Sequence, residues 1–191
     1  MLFPPRPDWE GLHPLVVHFP IALLLVAPVV LAVGIVMRER GRPWLIAALL
    51  LTALGTIAAW VAVSTGEAAG ELAERTPEIN AAIERHESLA ELVRTLFTII
   101  TLLFAALLFG PGLLRRRVAP RMETLALVVL LALFGVGALA VAHTGHEGGR
   151  LVHEFGVRSL VAPTKGRSIF LGPARSESEE STRPGGSQDP D

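Results

Sequence analysis

The chain has 191 residues, 51% of them hydrophobic, and a mean hydropathy of +0.50, enough for one domain and too apolar for an ordinary soluble one. Its formal net charge of -1 gives no basic excess to draw nucleic acid or another polyanion. Cysteine is absent, which excludes disulfides, thiolate metal sites, c-type haem attachment and cysteine nucleophiles, and leaves histidine and carboxylate as the strong ligands.

Crossing the hydrocarbon of a bilayer takes about 20 mainly apolar residues. The first such stretch, 14–37, opens at His13-Pro14 and carries His18-Phe19-Pro20; proline suits a first helical turn. It lacks the basic lead, short apolar core and small-residue cleavage site of a secretory signal, and reads as a retained helix. A short loop follows with Arg38, Arg40 and Arg42 against Glu39. The second span, 43–63, starts at Pro43 and presents Ala48, Thr52, Gly55, Thr56 and Ala59 at intervals of three and four, a small-residue face that lets another helix approach closely.

The connection to the third span is acidic, with Glu67, Glu71, Glu74, Glu78, Glu84, Glu87 and Glu91 against Arg75 and Arg85. Helix three is expected to begin near Pro77, stand above the membrane for its first turns, cross over 92–110 and end at Gly110-Pro111-Gly112. Glu84, Glu87, Glu91, Arg94, Thr98 and Thr101 fall on one stripe of that helix. Glu87 or Glu91 can reach Arg94 by helical spacing, and the stripe is either an ion pair fixing register or the wall of a polar cavity. A second short loop carries Arg115, Arg116, Arg117 and Arg121 against Glu123. The fourth span is 122–142. The glycine-rich run from His143 to Gly149 beyond it is either a helix cap or a loop folded back over the helix ends. Residues 1–160 thus make one transmembrane domain, and 161–191 a polar tail expected to be disordered.

Short loops retain arginine on the cytoplasmic side. Both arginine loops are therefore expected inside, and both termini and the acidic connection outside. Trp9 and Trp60 then fall at the outer interface and Trp44 at the inner one, where indole rings prefer to sit. The fold expected is all-α, a polytopic four-helix up-down bundle. Lys165 is the only lysine, an arginine bias that hints at a bacterial genome and hence a bacterial cytoplasmic membrane.

All six histidines, His13, His18, His86, His143, His146 and His153, map to the outer half. Three different helices deliver imidazole to one end of the bundle, and two imidazoles from facing helices can hold haem iron axially. His18, His86 and His143 are the candidate cofactor ligands. His143 and His146, three apart, suit one divalent ion if the helix continues past Gly145, with His13 as a further ligand and Glu147 and Glu154 as oxygen donors. The opposing reading makes these histidines interfacial hydrogen-bonders; for His13 and His153, outside the spans, that reading is preferred. No nucleophile, base and acid arrangement stands out, and no stand-alone enzymatic activity is expected.

His13-Pro14, His18-Phe19-Pro20, His86, and Thr144-Gly145-His146-Glu147-Gly148-Gly149 followed by Leu151-Val152-His153 resemble the bacterial membrane family catalogued as domain of unknown function 2231, over residues 11–157. Many members carry a histidine where this chain has Phe155. The resemblance implies a four-helix membrane module sometimes fused to Rieske iron-sulfur or cytochrome c domains, and so, by analogy, electron transfer. Two functions follow. One is a haem b or metal-binding subunit that hands electrons between quinone and an outer-face redox protein. The other is a non-enzymatic membrane anchor whose histidines and Glu-Arg stripe are structural. Metal or proton transport stands behind both, because the inner half offers no deep ionisable residue to continue a pathway.

Overall fold

A computed structural model of the chain describes residues 8–73, 76–115 and 118–157. The expected disordered tail lies outside the described residues, as do Glu74, Arg75, Arg116 and Arg117. The described residues are helical almost throughout: a 3-10 turn at Glu10–Leu12, then α1 (His13–Val16), α2 (His18–Val36), α3 (Arg42–Glu71), α4 (Pro77–Leu113) and α5 (Pro120–His153). Four rods, α1 with α2, then α3, α4 and α5, are long and apolar enough to cross a membrane.

Their ends follow local chemistry. Pro14, Pro43, Pro77 and Pro120 each stand in the first turn of a helix, where a missing N–H costs nothing. The Thr76 hydroxyl caps α4 by accepting from the Ile79 N–H at 3.3 Å. Beyond α2 and beyond α4 the chain turns through an arginine in the left-handed region, Arg38 at φ 50° and Arg115 at φ 51°, a conformation that stops a helix.

α2 packs on α3, α3 on α4, α4 on α5, and α5 back on α2, closing a ring of antiparallel neighbours. Leu24, Leu31, Ile100, Phe97, Phe104, Leu130 and Phe134 are buried at its centre, and the rings of Phe97 and Phe134 meet edge to face at 5.9 Å. Outside, Val29, Leu54, Leu102, Val136 and Leu139 are exposed. An apolar girdle around an apolar core is what a bilayer solvent requires. Two threonines inside the spans are satisfied within their own helices: Thr52 donates to the Ala48 carbonyl at 2.7 Å, and Thr101 to the Phe97 carbonyl at 2.7 Å. Thr56 and Thr101 lie 2.9 Å apart across α3 and α4; Thr101 has given its hydrogen to Phe97, so Thr56 donates.

One expectation about local structure needs correcting. The run from His143 to Gly149 is neither a cap nor a folded-back loop: α5 continues through Gly145, Gly148 and Gly149 to His153. Each interior glycine costs about 1 kcal/mol of helix propensity. Burial of Leu151 on α5, and the close approach of His86 at Gly148, offset that cost. α4 likewise runs on through Pro111 to Leu113.

Candidate functional site

The histidines gather at the end of the bundle opposite the arginine loops. His13 begins α1 and lies against α3: its Nδ1 is 2.9 Å from the Ala62 carbonyl oxygen and 3.3 Å from Thr65 Oγ1. A carbonyl only accepts, so Nδ1 carries the proton. The Thr65 hydroxyl donates along its own helix, to the Val61 and Ala62 carbonyls at 3.0 Å, which leaves its oxygen to accept from His13. His86 stands on α4 and lies against α5, its Nδ1–H donating to the Thr144 carbonyl at 3.1 Å. The two imidazoles then meet, with ring centroids 6.5 Å apart and planes at 86°. Among the described residues neither Nε2 has a hydrogen-bond partner.

Two glycines make room for these rings. A Cβ at Gly66 would lie 2.8 Å from His13 Cε1, and one at Gly148 would lie 2.9 Å from His86 Cε1. Distances under about 3 Å are inaccessible to real side chains at the density of a protein interior, so each imidazole occupies space that only glycine vacates.

The pair assembled differs from the pairing expected of His18 with His86 or His143. His18 and His143 are exposed. The helical repeat explains this: at roughly 100° per residue, five residues turn a side chain about 140°. His18 lies five beyond His13, and His143 five before Gly148, so each points away from the face that holds the pair. His146 and His153 are exposed too. His13, a candidate metal ligand for which the interfacial reading is preferred on sequence, is half-buried in the pair. Gly66 was the signal available for it, a glycine late in an otherwise good helix. Among the described residues no group of three or more histidine, aspartate or glutamate side chains is placed to hold a metal ion.

Carboxylates complete the surroundings. Glu147 is buried on α5 and held by Arg150, whose guanidinium also binds Glu154, at 3.1 and 2.9 Å; the Arg150 guanidinium carbon lies 6.0 Å from the Phe155 ring centroid. The polar stripe of α4 divides into ties to α3. The Glu87 carboxylate lies beside Gly70, and Glu91 pairs with Arg94 at 3.8 Å. Arg94 stacks over the Trp60 ring at 4.5 Å, while the Trp60 indole N–H donates to Thr98 at 3.1 Å. Cation–π stacking of this kind is strong where water is scarce.

The model of the family described as "Predicted membrane protein (DUF2231)" matches residues 10–160, a range that takes in every helix and both members of the imidazole pair. No curated protein and no solved structure matches the chain.

Proposed function

The chain belongs to the DUF2231 family of predicted membrane proteins, and from that premise we propose that it is a membrane subunit holding a histidine-ligated metal centre, a haem b iron or a bare ion, in electron transfer. The observation that carries the reading is the His13–His86 pair. Each Nδ1–H is tied to a backbone carbonyl, the arrangement that fixes tautomer and ring direction in metal-ligating histidines. Each Nε2 keeps its lone pair for a ligand. A quinol in the bilayer would supply one electron at a time to the centre, and a separate redox protein at the histidine end would remove it.

Both termini lie outside in this account, and the membrane is a bacterial cytoplasmic one. Retention of Arg38, Arg40, Arg42, Arg115 and Arg121 at the opposite end of the bundle supports that orientation. The test is an oxidised-minus-reduced visible spectrum with metal analysis on protein purified in mild detergent from a haem-replete host. The wild type should carry a centre, His13→Ala and His86→Ala should lack it, and His18→Ala should retain it. A folded wild type free of colour and metal would overturn the reading.

One observation favours a second role. Each imidazole also closes a helical hairpin, His13 onto α3 and His86 onto α5, as a purely structural staple in an anchoring module would. A metal-free wild type whose His13→Ala and His86→Ala variants lose stability would establish that role instead.

A further inference from the structure

The wiring of His13 is repeated at His86 with one register. Advancing the first rod by 73 positions carries His13 onto His86 and Leu24 onto Phe97; advancing α3 by 82 carries Gly55 onto Gly137, Ala62 onto Thr144 and Gly66 onto Gly148. The contacts follow. His13 bonds Ala62 and sits on Gly66, as His86 bonds Thr144 and sits on Gly148. Leu24 fills the space above Gly55, and Phe97 the space above Gly137, a Cβ there falling 2.7 and 2.6 Å from the respective side chain. The same shifts map buried residues onto buried residues: Pro20 onto Val93, Leu31 onto Phe104, Thr52 onto Phe134, Ala59 onto Val141 and Thr65 onto Glu147.

Two antiparallel hairpins with their first helices running the same way, packed α3 on α4 and α5 on α2, are related by a two-fold axis along the bundle. Equivalent atoms approach one another only near such an axis. His13 and His86 are the equivalent residues whose rings meet.

We propose that the chain is a duplicated helical hairpin and that His13 and His86, meeting on its pseudo-two-fold axis, form a two-coordinate site for a single copper(I) ion. This rests on reading the pair as a metal site and narrows it. The donor set is two equivalent neutral imidazole nitrogens. Zinc in protein sites takes four ligands and calcium or magnesium six or more oxygens, and among the described residues no third histidine or carboxylate completes such a group. The nearby Glu147 carboxylate is engaged by Arg150. A monovalent d10 ion accepts two collinear donors, and imidazole is a good copper ligand. A metal–nitrogen bond of about 2.0 Å sets two opposed imidazole centroids roughly 6 Å apart, close to the 6.5 Å in this structure. A bare ion needs only the gap between two nitrogens.

The test uses the full chain in detergent, titrated under reducing conditions with copper(I) against a chromophoric chelator, with silver(I) as a redox-inert probe and zinc(II) and hemin in parallel. We expect one copper(I) or silver(I) per chain. Affinity should fall more than about 100-fold in His13→Ala and in His86→Ala alike, beyond the 10–100-fold that loss of a supporting hydrogen bond costs a metal site. His18→Ala and His143→Ala should match the wild type. X-ray absorption at the copper edge of the wild-type complex should show two nitrogen donors, a result independent of whether any variant folds. Binding of zinc or hemin, but not copper(I), that both pair variants abolish would leave the metal-centre reading standing and overturn the copper assignment. Copper lost in only one of the two pair variants, or from a three- or four-coordinate site, would overturn the axial site. No binding of any probe would overturn both.

Discussion

The two hairpins share a register and differ in what fills it. In the first, the positions facing the centre hold Leu24, Leu31 and Thr52; in the second, their equivalents are Phe97, Phe104 and Phe134. Beside His13 stands the neutral Thr65, and beside His86, at the equivalent place, the carboxylate Glu147. The backbone arrangement that brings a histidine over a glycine therefore tolerates different cores. What both copies retain is the imidazole, the glycine beneath it and the carbonyl that orients it.

The largest expected break comes from the aromatic half. Phe97→Ala removes a fully buried ring that packs on Phe134 and should cost about 3–5 kcal/mol, toward the upper end of large-to-small core changes; Leu24→Ala, its counterpart, should cost less, about 2–4 kcal/mol. Thermal unfolding in one detergent measures both, and a larger loss from Leu24→Ala would contradict the unequal filling. Next come the glycines. Gly137→Ala drives a Cβ into Phe97, held rigidly by its neighbours, and should cost about 1–3 kcal/mol as overpacking does. Gly55→Ala meets Cδ2 and Cγ of the buried Leu24 and the Cβ of Leu23, and should cost a similar amount, about 1–3 kcal/mol.

His86→Ala should lose about 1–3 kcal/mol, because the Thr144 carbonyl gives up a partner in a half-buried setting, and His13→Ala a similar amount. Unequal losses would weaken the equivalence of the two halves. Thr65→Val, which removes a secondary acceptor from His13, should cost about 1 kcal/mol. His18→Ala and His143→Ala, both exposed, should lie within about 0.5 kcal/mol of the wild type.

Much of the frame was legible in the sequence. Hydropathy and the proline starts marked the four rods and the beginning of α4 at Pro77, since apolar runs and helix-start chemistry are local properties. The small-residue face of α3 was legible for the same reason, with Ala48, Thr52, Gly55, Thr56 and Ala59 all buried. The end of α5 was not: glycines at 145, 148 and 149 look like a helix stop until His86, on another helix, is known to lean on Gly148. The histidine pairing was hidden for a related reason. Rotation about each helix axis decides whether His13 or His18 faces inward, and in a rod apolar all round, as α2 is, no sequence stripe fixes that rotation. The Arg94 stack on Trp60 joins two helices by a cation–π contact that neither sequence segment signals alone.

The central claim is that His13 and His86 together hold a metal. Its most direct test is elemental analysis of the full chain purified from membranes, wild type beside the His13→Ala/His86→Ala double variant, each checked for helicity. About one metal per chain in the wild type and none in a folded double variant is the result expected here. A folded wild type without metal, or a double variant that keeps its metal, would contradict it.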